Sequence, residues 1–263
     1  MMADDIHTIS ISFDTDHLSE QRMMEFLDQS SFPGGATFFC TQPYQALDKI
    51  RAEVAPHPYL GKNIDWLVEL RRKREEFPQA EGWRPHSCVF SHIIAEWLAF
   101  NGYLYASTHD AFGETGLRPS LGMWGVWQIP IYYMDNLDFS QARFWPSANR
   151  PIMSKELITR ALDRPGSYVF DFHPIHLLLN TPDPETYMAA RSRFVVGEDT
   201  KKLRHTGRGA YTFFCDLIEA MERKNFKSTS ILDALLAFKP DARELVLEKG
   251  EYRFEDWRIN DVR

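Results

Sequence analysis

Apolar positions along this chain keep switching between two periods. Thr8-Ile9-Ser10-Ile11-Ser12-Phe13 alternates apolar with polar and is rich in β-branched residues, which predicts a strand ending in Asp14-Thr15-Asp16-His17. Residues 19–29 then place Met23, Phe26 and Leu27 on one helical face. A loop over 30–35 leads to a short apolar strand at 36–41 and a helix over 44–53. Prolines flank His57 in Pro56-His57-Pro58, so this histidine sits at the end of a short strand and not inside a helix. Residues 64–77 read as a helix with a charged face, 82–87 as a strand end, 90–101 as a helix stopped by Gly102, and 104–107 as a strand. A loop is expected over 108–120, a strand over 124–133, and an irregular connection over 138–152. A helix at 155–163 and a turn at 164–166 precede a strand at 167–172, which runs into His173-Pro174-Ile175-His176. Residues 181–209 read as a polar excursion, 211–224 and 229–238 as helices, and the remainder as a short tail.

Strands alternating with helices predict parallel pairing through crossover helices, hence the α/β class. The length of 263 residues lies within the range that α/β barrels cover as one domain. No internal repeat, low-complexity run or linker interrupts the chain, so one domain over 1–263 is expected.

Composition narrows the partners. The net charge of −7 and the lack of a basic stripe with interleaved aromatics argue against nucleic acid or an anionic membrane surface. Arg71-Arg72-Lys73-Arg74 is followed at once by Glu75-Glu76, as on a solvated helix face. The most apolar window, 121–134, is too short for a membrane span. Three scattered cysteines lack zinc-finger spacing and fit free thiols in a reducing compartment. With no secretory signal in Met1-Met2-Ala3-Asp4-Asp5, a cytoplasmic location is expected. Nothing in the pattern addresses oligomeric state.

Polar residues gather at the predicted strand ends: Asp14, Asp16, His57, Arg84, His86, Asp135, His173 and His176. In a parallel barrel the carboxyl ends of all strands face one site. Asp14 and Asp16 are two apart and point the same way on an extended backbone. Asp14-Thr15-Asp16 equally suits the start of a loop, and a lone His is more often structural than a ligand. Taken together, mixed carboxylate and imidazole donors suit a divalent metal such as zinc that activates water, with a further carboxylate and His as base and acid. There is no Gly-x-Ser-x-Gly elbow, P-loop or Gly-x-Gly-x-x-Gly after a strand. A cysteine nucleophile at Cys40 or Cys88 stays open. Seven tryptophans and an aromatic content of 14% either fill the core or stack on sugar rings.

The series Ser12-Phe13-Asp14-Thr15-Asp16, Ala36-Thr37-Phe38-Phe39, His57-Pro58, Arg84-Pro85-His86-Ser87 and Phe172-His173-Pro174-Ile175-His176 resembles the NodB-type polysaccharide deacetylases, carbohydrate esterase family 4. It looks closest to a divergent branch associated with bacterial surface-polysaccharide gene clusters, and the resemblance spans residues 8–238. It implies a distorted (β/α)7 barrel and metal-dependent removal of an acetyl group from a sugar, in a polysaccharide or its cytosolic precursor. The metal would be zinc, with cobalt or another divalent ion as alternatives. Transferred residue by residue, the resemblance makes Asp14 the base, Asp16 and His57 metal ligands, Arg84 the orienter of the catalytic carboxylate and His173 the acid, tuned by Asp135. The family's second motif has a His four residues after the first, but Gly61 stands there in this sequence. His86 is the substitute ligand expected. Asp135, His176 and Trp127 are assigned to substrate contact. Two other readings keep the fold: an allantoinase-like hydrolase of a small cyclic amide, and a non-catalytic carbohydrate-binding protein.

Overall fold

The computed structural model describes residues 6–144 and 152–245. Eight strands are described: β1 His7–Asp14, β2 Thr37–Cys40, β3 Glu53–Pro56, β4 Gly82–Trp83, β5 Tyr105–Asp110, β6 Ser120–Leu121, β7 Trp127–Met134 and β8 Gly166–Phe172. Seven run in the order β3-β2-β1-β8-β7-β5-β4, all parallel, while β6 pairs antiparallel with β7. The two ends of this sheet meet through backbone bonds from Arg84 N to Pro56 O at 3.4 Å and His86 N to Pro58 O at 2.9 Å. The sheet therefore nearly closes into the expected distorted (β/α)7 barrel. Around it lie α1 Glu20–Gln29, α2 Trp66–Glu76, α3 His92–Phe100, α4 Asp135–Phe144, α5 Lys155–Asp163, α6 Pro174–Leu179, α7 Pro184–Val195, α8 Thr200–Leu203, α9 Ala210–Arg223 and α10 Ile231–Phe238.

The alternation in β1 has a meaning its sequence does not disclose. Phe13 faces outward, where its ring meets Phe26 of α1 at 5.0 Å and Phe214 of α9 at 6.2 Å. The polar partners Ser10, Ser12 and Asp14 point into the barrel, all buried. Register carries this inward row around the sheet. Ser12 lies beside Thr37 and Asp171, and Thr37 beside Glu53. The lower interior is apolar, built from Phe39, Ala55, Tyr105, Trp127, Ile129 and Val169. Helix α10 plugs that end with Ile231 and Leu235; Ile231 N donates to Thr37 Oγ1 at 2.8 Å and Leu232 N to Glu53 Oε2 at 3.1 Å. Gly82 must lack a side chain because a Cβ there would run into the buried Tyr105 phenol.

Above this layer the interior turns polar around the fully buried Arg84. Its Nη1 donates to Ser12 Oγ at 2.9 Å, to Asp14 Oδ1 at 3.0 Å and to Asp171 Oδ1. Nε donates to Ser107 O at 2.8 Å and Nη2 to Ser107 Oγ at 2.7 Å. The guanidinium also lies 4.2 Å from the centre of the Phe39 ring. Burial pushes the Asp171 carboxyl up, Arg84 draws it back down, and Asp14 raises it further. For Arg84, burial disfavours the charge, but Asp171 and Asp14 more than restore it and its pKa is raised.

Several local expectations are corrected. Only Gln45–Lys49 of the 44–53 segment is helical, as a 3-10 turn, and Glu53 belongs to β3, its carboxylate held by Thr37 and Tyr105. Strand β5 continues through Thr108-His109-Asp110, with a register shift against β7 between Ala106 and His109. Strand β7 begins at Trp127, because Trp124 has φ 64° and breaks the extended run. The connection after Met134 opens as helix α4, and residues 145–151 of it lie outside the described residues. The polar excursion contains two capped helices. Asp183 accepts from Thr186 N ahead of Pro184, and Asp199 accepts from Lys201 N. Met1–Asp5 and the last 18 residues of the tail are likewise outside the described residues.

Replacing Arg84 with Met should destabilise the fold by about 3–5 kcal/mol, because two buried carboxylates lose their cation. Urea denaturation measures this, and adding Asp171→Asn to the same chain should return part of the loss. An Arg84→Met protein as stable as wild type would contradict the network.

Candidate active site

Strand β1 delivers two carboxylates to the open end of the barrel. Thr15 continues the extended path, its N donating to Phe39 O at 3.0 Å and its Oγ1 accepting from Thr41 N at 3.1 Å. Asp14 and Asp16 consequently share a side, as alternation predicts. His57 lies between them, with Nδ1 3.8 Å from Asp14 Oδ2 and Nε2 3.4 Å from Asp16 Oδ2. His17 then turns the chain with a left-handed φ of 59°.

The His57 ring is fixed by a second contact. Its Nδ1 donates to the backbone carbonyl of Arg84 at 2.8 Å, which leaves Nε2 as the free donor atom of the neutral ring. That Nε2 is buried and has no hydrogen-bond partner; Asp16 is within ion-pair distance but misaligned for a bond. His86 closes the group from the β4 side, with Nδ1 3.1 Å from both Asp16 oxygens. It is reached through a strained turn in which Ser87 and Cys88 have φ of 60° and 52°. Donor atoms of Asp16, His57 and His86 all lie within 4.8 Å of one another. An orphaned imidazole nitrogen facing a carboxylate and a second imidazole is a donor set that suits a divalent ion. Burial alone would raise the Asp16 pKa, but the neighbouring imidazoles of His57, His86 and His173 hold it well below the usual carboxylate range.

Opposite this group stands His173, at the end of β8. Asp135 fixes it doubly: Oδ1 takes the Nδ1 proton at 2.8 Å and Oδ2 accepts from His173 N at 2.9 Å. Burial would lower the His173 pKa, but the Asp135 carboxylate overrides it, with smaller help from Asp14 and Asp171, and pushes it up to about 10. Its Nε2 points back toward the Asp16–His57–His86 cluster, 3.6 Å from Asp16 Oδ2 and 3.5 Å from Asn136 Nδ2. Asp14, Asp16, His57, His86, Asp110, Asn136 and His173 line one cavity of about 460 Å³.

The structure thus gathers Asp14, Asp16, His57, Arg84, His86 and His173 in one place. Three of the sequence assignments need correction. Asp135 is fully buried behind His173 and is a positioning carboxylate, not a wall of the cavity. His176 sits behind it as well, with Nδ1 3.2 Å from Thr181 Oγ1 and its ring against Phe139 and Tyr187; burial lowers its pKa to about 4. Trp127 begins β7 at the closed end of the barrel among Tyr105, Ile231 and Leu235, where no ligand of this cavity can touch it. The cysteine alternatives also weaken, since burial pushes the Cys88 thiol up to about 12 and raises Cys40 too, and the thiol form is a poor nucleophile.

Gly61 is exposed, and a Cβ on it would touch only Ile64. The space beside Asp16 goes instead to Tyr59, which sequence reasoning missed. Its hydroxyl donates to Asp16 Oδ1 at 2.5 Å, and its ring lies 4.6 Å from His86. The signal available was its spacing, two residues after His57 and so on the same side of an extended chain. Asp171 was also missed, although a lone carboxylate in the apolar strand 167–172 is itself a signal.

Comparison with known proteins bears on the family and the fold. A family model described as WbmS-like polysaccharide deacetylase matches residues 11–191. A crystal structure from Bordetella bronchiseptica, named as a polysaccharide deacetylase involved in O-antigen biosynthesis (WbmS), superposes with a TM-score of 0.67. It is 20% identical, over 83% of this chain and 99% of that one, and so shares the fold. A polysaccharide deacetylase from Mycobacterium smegmatis is more distant, at 15% identity over 86% and 94% of the two chains and a TM-score of 0.42. The Xyl-CE4 domain of a xylanase from the hindgut metagenome of Trinervitermes trinervoides gives 11% identity, 94% and 96% coverage and 0.41. No curated protein matches the chain. Among the described residues, no helix is long and apolar enough to cross a membrane. With more than half of its length matched by the family model, this chain belongs to the WbmS-like polysaccharide deacetylases.

Proposed function

We propose that the protein hydrolyses the acetyl group of an acetamido sugar, in a polysaccharide or its precursor, with a divalent ion held by Asp16, His57 and His86. The observation that carries this reading is the buried, unpartnered Nε2 of His57, aimed between Asp16 and a cavity that also holds a base and an acid. A zinc or cobalt ion bound there supplies a Lewis acid for the acyl oxygen and for water.

The chain's own groups divide the remaining work. Asp14, held at Oδ1 by Arg84, keeps Oδ2 on the His57 side and takes the proton of the attacking water. A backbone N–H at Ser87, on the cavity wall, helps hold the oxyanion. His173 Nε2, protonated through its pairing with Asp135, gives its proton to the leaving amine, so that acetate and the free amino sugar depart. Tyr59 occupies Asp16 Oδ1 and so directs Oδ2 toward His57.

Zinc-supplemented protein should release acetate from N-acetylated oligosaccharide, and EDTA should stop it. Asp14→Asn and His173→Gln should each lower kcat by about 10²–10⁴-fold, the usual contribution of a general base or acid. No acetate from wild type with either zinc or cobalt would sink the hydrolase reading. Independently of turnover, zinc at a hundred times its Kd should stabilise wild type by about 2.7 kcal/mol, seen as a rise in Tm. His57→Ala should lose that rise; an equal rise in both proteins would remove His57 from the metal group.

A further inference from the structure

Among the described residues, Arg191 is a cation near the open end of the barrel that the proposed chemistry does not use. Helix α7 packs against α4 and α6, the helices that begin where β7 and β8 end, so it borders the open end. Tyr187 and Arg191 are four residues apart and share one face of α7. The Tyr187 ring lies 4.6 Å from the ring of His176, which backs His173, while Met188 is 64% exposed on another face.

Arg191 has an unusual partner. Other arginines on the outer helices answer to carboxylates: Arg72 to Glu69 and Glu76, Arg160 to Glu156, Arg193 to Glu198. Arg191 Nη2 instead donates to His17 Nε2, at 2.9 Å. An imidazole that accepts at this nitrogen is neutral there, so the guanidinium keeps its whole charge. Among the described residues no carboxylate pairs with Arg191, and none takes a hydrogen bond from its Nε or Nη1. His17 is the residue next to Asp16 and holds a left-handed φ of 59°. The Arg191 charge reaches the phenols of both Tyr59 and Tyr187, and Tyr59 is bonded to Asp16. A half-buried guanidinium with unspent donors, held by a neutral imidazole one residue from the metal group, is arranged to receive an anion from outside.

We propose that Arg191, steadied by His17, anchors a negatively charged substituent of the substrate, so that the acetamido sugar carries a carboxylate or a phosphate close to the acetyl group. This rests on the hydrolase reading for the place of the acetyl group, and the Arg191 fork matches both anions.

The test compares three probes on zinc-loaded protein: N-acetylglucosaminuronic acid, N-acetylglucosamine 1-phosphate and neutral N-acetylglucosamine. Wild type should show a KM for one of the anionic sugars about tenfold or more below that for the neutral one, and which one identifies the anion. Arg191→Gln should raise that KM by about 10–100-fold, the span of a charge-assisted hydrogen bond, with kcat changed by less than about threefold. Arg191→Lys should recover part of the affinity, since it restores the charge without the fork. Equal KM values for all three probes in wild type, or an equal rise for neutral and anionic probes in Arg191→Gln, would overturn the anchor. Calorimetry separates this from the hydrolase reading. If zinc-loaded Asp14→Asn binds the anionic sugar more tightly than the neutral one, and Asp14→Asn with Arg191→Gln does not, the anchor stands even where wild type releases no acetate. No preference for the anionic sugar in Asp14→Asn overturns it.

Discussion

One buried guanidinium ties the barrel to its chemistry. Arg84 is inserted between β1, β5 and β8 with no exposure to water, and such a charge is tolerable only where acceptors and counter-charges answer it. Each of its three nitrogens has an acceptor, among Ser12, Asp14, Ser107 and Asp171. The same residue works through its backbone as well, because its carbonyl takes the Nδ1 proton of His57. A single position thus sets the orientation of the proposed base and the tautomer of a proposed ligand. The requirement explains why the upper interior of the barrel is polar while the lower interior, sealed by α10, is not.

A comparable arrangement governs the other wall. Asp135 holds both the backbone N–H and the ring of His173, so the imidazole is aimed and charged by one carboxylate lying out of reach of solvent. Asp14 and His173 are therefore each positioned by an oppositely charged partner deeper in the protein, and both line the cavity that Asp16, His57 and His86 line. Both strained turns at this end, at His17 and at Ser87-Cys88, adjoin that group. Left-handed backbone at these two turns fits a site whose geometry is imposed by the surrounding barrel.

The sequence disclosed the fold class and most of the inward-pointing chemistry, because parallel strands carry their functional residues at their carboxyl ends. Asp14, Asp16, His57, Arg84, His86 and His173 were legible for that reason. What stayed hidden has two physical causes. In a closed barrel both faces of a strand are covered, so Ser12 of β1 looks like part of a solvated face when it is a partner of the buried Arg84; Asp171 and Ser107 were obscured in the same way. Strand ends also matter more than strand identity. Trp127 was assigned to the substrate because its strand was placed, but it begins that strand at the plugged end. Helices α7 and α8 escaped notice because their cores are thin, with only Ala190 and Phe194 buried on α7, and capping by Asp183 and Asp199 does much of the local ordering.

The account turns on whether Asp16, His57 and His86 form a metal group. A crystal grown with zinc and measured across the zinc absorption edge tests this directly. An anomalous peak bounded by an Asp16 carboxylate oxygen, His57 Nε2 and a His86 ring nitrogen is the predicted result. A peak confined to the Asp135–His173–His176 cluster, or no peak at saturating zinc, would contradict it.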